Sequence, residues 1–295
     1  MSNIRTGVIG LGAMGAPMAR HLASNGFLTG VWNRTKMMAD TLASELGVVR
    51  ADSPAELARQ CNILLTCVSA DKDLESVITQ AMPGLEHGDV VIDTSTVSPV
   101  LTKHLAERLE QIAVGLIDAP VSGGVEGAVK GRLSVMAGGD FATFSRVLPV
   151  LESFSATVTH MGPVGSGQAT KAVNQVIVAG LAEAVCEALA LSEKLNLPSE
   201  RLLSVLTAGA ADSWFLRHRG QSMLENRFDI GFKLSLLLKD LKIVRLLARD
   251  LNINLSTVDT AIGDYEKLVT AGDGNNDISG LIRRKRAQMC PADRE

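Results

Sequence analysis

One short run does most to limit what this chain can fold into. Gly10-Leu11-Gly12-Ala13-Met14-Gly15 has the spacing G-x-G-x-x-G and sits directly after the apolar run 4–9 and directly before a helical stretch from about Gly15 to Asn25. Glycine-rich turns are common, so the spacing alone carries little. A strand before it and a helix after it make it a dinucleotide fingerprint. The first glycine permits the tight turn, Gly12 lets the backbone approach a pyrophosphate, and Gly15 lets the helix pack closely on the strand. The helix start offers unsatisfied N–H groups and the positive end of its dipole to phosphates. An ordinary strand–turn–helix is the alternative.

The pattern continues downstream. Phe27–Trp32, Ile63–Val68, Val90–Ile92 and Gly115–Ile117 read as strands, with helices between them such as Ser53–Gln60 and Pro99–Glu110. Ser53, Pro54 and Glu56 supply an N-cap, a proline in the first turn and a capping-box acid. Strands alternating with helices predict parallel βαβ units. A last strand pair is expected at Leu133–Ala137 and Thr157–His160, and from Gln168 onward helical periodicity dominates, broken at Pro198 and near Gly209, Gly231 and Gly272. The expected fold is α/β: a Rossmann-type, doubly wound parallel sheet over residues 1–163, followed by an all-helical domain for substrate binding and oligomerisation over 164–295.

Composition removes several function classes. Lys plus Arg number 29 against 32 Asp plus Glu, a formal net charge of −3, and aromatics make up 3%. Neither a basic field nor an aromatic platform for nucleic acid is present. The basic run Arg283-Arg284-Lys285-Arg286 reads as a solvated helix end. Cys61, Cys67, Cys186 and Cys290 form no CxxC pair and no histidine stands at zinc-ligand spacing, so free thiols and no metal are expected. The most apolar long stretch, Val176–Leu191, is interrupted by Glu183 and Glu187 and reads as a buried helix, not a membrane span. A strand begins within a few residues of Met1, so no signal peptide is expected and the location is read as cytoplasmic.

The end of the second strand selects the cofactor. An NAD enzyme places Asp or Glu there for the ribose 2′-hydroxyl. Here the strand ends Trp32-Asn33-Arg34-Thr35, without a carboxylate. Arg34 can pair with a 2′-phosphate in a forked geometry, and Asn33 and Thr35 can add hydrogen bonds. NADP is therefore expected, with NAD the alternative.

Four ordered motifs then become recognisable. Gly10 to Leu22, reading GLGAMGAPMARHL, resembles the N-terminal signature of the β-hydroxyacid dehydrogenase family. Asp118-Ala119-Pro120-Val121-Ser122-Gly123-Gly124 resembles its substrate motif, Gly165 to Lys171 continuing through Asn174 its catalytic motif, and Lys239-Asp240-Leu241 its late cofactor-contact motif. Within the family the combination looks most similar to 2-hydroxy-3-oxopropionate (tartronate semialdehyde) reductases, 3-hydroxyisobutyrate dehydrogenases and semialdehyde reductases. The resemblance implies Lys171 as the acid/base. Chemistry agrees, since hydride transfer to a carbonyl leaves an alkoxide that an ammonium can stabilise and protonate. Lys171 lies in a stretch otherwise without charge, from Met161 to Ala182. Asn174 is one turn on, and some family members carry asparagine where this chain has Gln175, so either amide is open as the one that orients substrate.

Ser122, Gly123 and Gly124 suit a substrate carboxylate, the hydroxyl donating and the glycines exposing backbone N–H groups. Val68, Ser69 and Thr96 end strands and fall at the ligand edge of the sheet. By resemblance Thr96 contacts the cofactor and Lys239 closes over the nicotinamide. Also by resemblance, Trp214 limits the substrate to about three or four carbons, in line with the size discrimination pockets achieve. Arg217 and Arg219 are two apart and cannot point the same way on a helix; both are read as solvated. The expected substrate is a small carboxylate, a β-hydroxyacid or its semialdehyde, with glyoxylate or succinic semialdehyde as the alternative. Imine reductases usually replace the catalytic lysine, so Lys171 argues against that activity, and Lys171, Ser122 and Asn174 together argue against a non-catalytic NADP-binding protein. The apolar second-domain helices suggest a homodimer or homotetramer.

Overall fold

The computed structural model describes residues 4–229 and 231–289. The chain forms two compact units, the first running to Lys171 and the second beginning at Ala172. This division lies inside the helix that starts at Ser166, because the first turn of that helix is bonded into the first unit.

The first unit contains strands β1 (Thr6–Ile9), β2 (Leu28–Trp32), β3 (Val49–Arg50), β4 (Ile63–Thr66), β5 (Val90–Asp93), β6 (Gly115–Asp118), β7 (Val121–Ser122), β8 (Leu133–Gly138) and β9 (Ser155–Gly162). Between them lie α1 (Gly15–Ser24), α2 (Lys36–Leu46), α3 (Pro54–Gln60), α4 (Asp71–Ala81), α5 (Pro99–Glu110), α6 (Gly124–Val129) and α7 (Phe141–Glu152). The sheet runs β3-β2-β1-β4-β5-β6-β8-β7, with β9 on β8. The first six strands follow the 3-2-1-4-5-6 order of dinucleotide-binding sheets.

The sheet is mostly, not wholly, parallel. β8 meets β6 and β7 antiparallel. The chain returns from β7 to β8 through the short helix α6, a connection too short for the crossover that a parallel pair requires.

Neighbouring residues on each central strand face opposite layers. Val8, Leu65, Ile92 and Ile117 pack in one core with Met18 and Leu22. Ile9, Leu64, Val91 and Leu116 pack in another with Leu74 and Leu105. Burial on both faces is why these strands read as unbroken apolar runs. At α3 the Ser53 hydroxyl accepts from Glu56 N at 3.2 Å, while the Glu56 carboxylate accepts from Asp52 N at 2.6 Å, one residue earlier than a reciprocal box would place it.

Helix α8 (Ser166–Lys194) begins in the first unit and continues into the second, which also holds α9 (Ser199–Thr207), α10 (Trp214–Leu224), α11 (Leu234–Asp250), α12 (Ser256–Thr270) and α13 (Leu281–Gln288). No strand occurs among the described residues of this unit. Ala179, Ala182, Cys186 and Leu189 of α8 pack with Leu237, Leu241, Ile262 and Tyr265. By length and composition α8 could cross a membrane. Its Glu183, however, forms an ion pair with Lys285, which also donates to Asp264 at 2.8 Å. An internal charge pairing of this kind belongs to a core helix.

The basic run on α13 is not a solvated helix end. Arg283 pairs with Asp273 at 2.7 Å, Arg284 with Asp264 at 3.2 Å and Arg286 with Glu193 at 2.5 Å, while Lys285 is buried. Carboxylates on α8, α12 and the segment before α13 take up all four charges. Cys61, Cys67 and Cys186 are free thiols, and burial pushes each of them up. Cys290 lies outside the described residues.

Candidate active site

Parallel pairing aligns the carboxyl ends of five strands. Ile9 stands beside Trp32 and Thr66, Thr66 beside Asp93, and Asp93 beside Asp118. The loops that follow β1, β2, β4, β5 and β6 therefore emerge on one edge. The strand order reverses between β1 and β4, the place where open α/β sheets form their ligand crevice.

The glycine turn occupies that place. Gly10 has φ +92°, and a Cβ there would collide with the Cys67 carbonyl oxygen. A Cβ on Gly15 would collide with the Gly10 carbonyl oxygen. At Gly12 nothing lies within 4 Å. The first and third glycines are thus demanded by the protein's own packing, and the second opens onto free space. Leu11 is buried, Gly12 and Ala13 are exposed, and Met14 stands at the N-cap of α1 without a side-chain cap. No acid lies in the first turn of α1 to compete with an anion; Ala16 N already donates to the Gly12 carbonyl oxygen at 3.1 Å and Pro17 has no N–H, so an anion is met by the glycine turn just before them. These features fit a dinucleotide pyrophosphate.

Asn33 fastens this turn to the end of β2. Its Oδ1 accepts from Leu11 N at 3.0 Å and its Nδ2 donates to the Thr35 carbonyl oxygen at 3.1 Å. Both ends of the amide are committed, so Asn33 shapes the loop more than it offers bonds to a ligand. Arg34, Thr35 and Lys36 follow, all exposed. Thr35 stands at the N-cap of α2 without using its hydroxyl to cap. Arg34 donates to Asp73 at 2.9 Å. Lys36, which sequence reasoning passed over, adds a cation in the first turn of α2; an exposed lysine carries no signal of its own.

The loops after β4 and β5 are bonded to each other. Val68 N donates to the Ser95 hydroxyl at 2.8 Å. Ser69 is exposed and Thr96 half-buried. Beneath them Asp93 is fully buried, its Oδ1 accepting from the Thr66 hydroxyl at 2.8 Å and from Ser95 N at 3.2 Å. Burial pushes its carboxyl up to about 7 against the pull of those bonds.

Asp118, at the end of β6, holds the start of α8. Its carboxylate accepts from Gly165 N at 2.8 Å and from Gln168 N at 2.9 Å. A carboxylate from another element thus caps the helix and meets the positive end of its dipole. Burial still raises its pKa, offset by these backbone bonds. A Cβ on Gly167 would collide with the Asp118 and Met136 carbonyl oxygens. Gln168, also buried, donates to the Ser95 carbonyl oxygen at 2.8 Å and accepts from Val97 N at 3.2 Å. It ties the helix to the loop that carries Thr96. Lys171 comes one turn later and is 7% exposed. Sequence reasoning quoted Asp118 and Gln168 within motifs but gave them no role. The only signal was spacing, since Gln168 and Lys171 share a helix face at i, i+3.

Ser122 ends β7, paired with Ser134 of β8. Gly123 and Gly124 follow with φ +128° and +65°, conformations that a side chain resists. Gly123 is exposed and Ser122 half-buried.

In the second unit the three polar residues expected near substrate or cofactor, Asn174, Gln175 and Lys239, form a chain through Asp240. Asn174 Nδ2 donates to Gln175 Oε1 at 2.8 Å, Gln175 Nε2 donates to Asp240 Oδ2 at 2.7 Å, and Lys239 pairs with Asp240 at 2.9 Å. Gln175 is 1% exposed, whereas Asn174 is half-buried. Of the two amides left open by the sequence, Gln175 is buried and Asn174 is the more accessible.

Trp214 opens α10, capped by Ser213, and is 49% exposed. Its ring stacks on His218 at 4.2 Å. The two arginines diverge as their spacing requires, but they are not both solvated. Arg217 pairs with Asp212 at 2.6 Å and donates to the Thr207 carbonyl oxygen at 2.9 Å. Arg219 is buried and paired with the equally buried Asp277 at 3.4 Å.

Comparisons with known proteins agree with this reading along the whole chain. Residues 5–162 match the NAD binding domain of 6-phosphogluconate dehydrogenase, and residues 165–284 match the NAD-binding domain of NADP-dependent 3-hydroxyisobutyrate dehydrogenase. An uncharacterized oxidoreductase of Shewanella frigidimarina is 36% identical over 94% of this chain and 96% of its own length. The 2-hydroxy-3-oxopropionate reductase of Escherichia coli is 35% identical over 95% of this chain and 96% of its own. Among solved structures, the 3-hydroxyisobutyrate dehydrogenase of Mycobacterium tuberculosis, described with L-serine, superposes with a TM-score of 0.87 at 29% identity, covering 96% of this chain and 99% of that one. With the glycine turn, the strand order and both family matches in agreement, the chain belongs to the β-hydroxyacid dehydrogenase family and is a nicotinamide-dependent oxidoreductase acting on a CH–OH donor.

Proposed function

We propose that the chain is an NADP-preferring reductase of short monocarboxylate semialdehydes, interconverting them with the corresponding β-hydroxyacids. The observation that carries the reading is Lys171. A lysine is rarely buried without a purpose, and this one is 7% exposed on a helix whose first turn is fastened by Asp118 and Gln168. A nicotinamide cofactor held at the glycine turn would supply or accept the hydride. Lys171 Nζ holds the proton that passes to the carbonyl oxygen as it becomes a hydroxyl, and its charge stabilises the oxygen on the way. Ser122 with the Gly123 and Gly124 N–H groups binds the carboxylate. Asn174, held by Gln175, orients the substrate hydroxyl or carbonyl, and Lys239, held by Asp240, contacts the cofactor.

Arg34 supports NADP over NAD, since it stands exposed at the end of β2 and the strand end Trp32-Asn33-Arg34-Thr35 itself carries no carboxylate for a 2′-hydroxyl. Val68, Ser69 and Thr96 belong to the cofactor side of the reading. Trp214 limits substrate length. Arg217 and Arg219 have carboxylate partners of their own, which favours substrates with one carboxylate over dicarboxylic ones. Val173, Ile177, Leu181 and Leu191 leave an exposed apolar stripe on α8, which supports a homodimer or homotetramer. The free thiols accord with a cytoplasmic location.

The test is NADPH consumption over a panel of tartronate semialdehyde, methylmalonate semialdehyde, glyoxylate and succinic semialdehyde, with a bulky uncharged ketone and a cyclic imine as controls. The first two should have the highest kcat/KM. Preference for the ketone or the imine overturns both the carboxylate site at Ser122 and the role of Lys171.

A further inference from the structure

We propose that Asp73 sets how strongly the chain favours the phosphorylated cofactor, by competing with the 2′-phosphate for Arg34. The inference rests on the reading of Arg34 as the 2′-phosphate contact. Arg34 and Asp73 are 39 residues apart in sequence and meet at 2.9 Å, Nη1 to Oδ1. Their side chains are unequal: Arg34 is 83% exposed and Asp73 19%. Asp73 lies in the first turn of α4, where the helix dipole favours a negative charge. The carboxylate is the more buried member of the pair and the long guanidinium arm the more exposed one. Asp71 in the same turn does not compete, because its carboxylate accepts from Ser98 N at 3.2 and 3.4 Å.

A 2′-phosphate that takes Arg34 must draw the guanidinium away from Asp73 or share it. In the shared arrangement two anions stand on one cation, a few ångströms apart. A 2′-hydroxyl meets neither cost. Asp73 therefore weakens NADPH binding and leaves NADH binding alone, so the chain discriminates between the two cofactors less than an unopposed Arg34 would. The size of an exposed ion pair and of a screened like-charge contact puts the effect at about 3- to 10-fold. Such tempering is a form of specificity set by a repulsive element, not by an added contact.

The experiment is fluorescence titration of NADPH and NADH separately into wild type, Asp73→Asn, Arg34→Ala and the double variant, with Asp73→Ser as a second neutral replacement. Asp73→Asn and Asp73→Ser should each tighten NADPH binding about 3- to 10-fold and move the NADH constant less than about twofold. That gain should vanish when Arg34 is alanine. If Arg34→Ala weakens NADPH but neither Asp73 variant tightens it, Asp73 is not a competitor and the inference falls alone. Weaker NADPH binding in the Asp73 variants also overturns it, since Asp73 would then hold Arg34 in place for the phosphate. If Arg34→Ala leaves NADPH binding unchanged, the reading of Arg34 falls and the inference with it.

Discussion

Two helices in the first unit start from glycine-rich turns, and the two turns are filled differently. At α1, Gly12 opens onto empty space and no side chain caps the helix. At α8 the run Gly162–Gly167 wraps the protein's own carboxylate, Asp118, which accepts from Gly165 N and Gln168 N. Glycines before a helix make room for an anion in both places. The anion at α1 has to come from a ligand, and the anion at α8 is built in. A helix start that stays open is a binding site, while one that is already capped is a rigid joint, suited to carrying a residue such as Lys171 at a fixed position.

The largest expected effect lies on the joint. Lys171→Ala should lower kcat by about 10²–10⁴-fold, while NADPH affinity stays within a few-fold of wild type, because the lost group acts in the transition state. Steady-state kinetics with a cofactor titration checks this, and an unchanged kcat would mean the joint carries no catalyst.

Next comes Asp118→Asn, which removes the charge from the cap and turns an amide N–H toward a backbone N–H. Losing a buried charged acceptor of this kind costs about 2–3 kcal/mol, read as a drop in Tm of several degrees. Arg34→Asp, at the open turn, should shift preference toward NADH. The wild type is expected to favour NADPH by at least about tenfold, or 1.4 kcal/mol, and the variant to lose or reverse that margin.

The effect smallest at any one pH step is a pH slope. Asp93 has its carboxyl pushed up to about 7 by burial, well above its unfolded value of about 3.9. A raised acid stabilises the fold below its unfolded pKa, and that contribution is lost as pH rises through the folded one. Stability should therefore fall between about pH 4 and pH 7, by at most about 1.4 kcal/mol per pH unit. Asp93→Asn should flatten this part of the curve in denaturant melts at several pH values. A slope unchanged in the variant would assign it to other groups.

The central strands and the glycine turn were legible because their signals are local: apolar runs buried on both faces, and a spacing bounded by strand and helix. β3 and β7 are two residues long and leave no period to read. The antiparallel entry of β8 was hidden because apolar alternation does not report strand direction. At the site, Lys171 stood out by its uncharged surroundings. Asp118 and Gln168 did not, since their partners lie 47 to 73 residues away in sequence. The same distance problem hid Asp73 beside Arg34, Asp277 beside Arg219, and the carboxylates that pair the basic run on α13. Charge patterning along a sequence shows which groups exist, not which of them have already found each other.

The contrast between the two turns is tested most directly by one pair of variants, Gly12→Ala and Gly167→Ala, each measured for Tm and for NADPH dissociation constant. At Gly12 a Cβ meets no protein atom within 4 Å, so the fold should tolerate it with Tm close to wild type while NADPH binding weakens by about tenfold or more. At Gly167 a Cβ meets the Asp118 and Met136 carbonyl oxygens, so Tm should fall sharply. Gly12→Ala binding NADPH as tightly as wild type, or Gly167→Ala melting at the wild-type temperature, would contradict the assignment of the first turn to a ligand and the second to the protein itself.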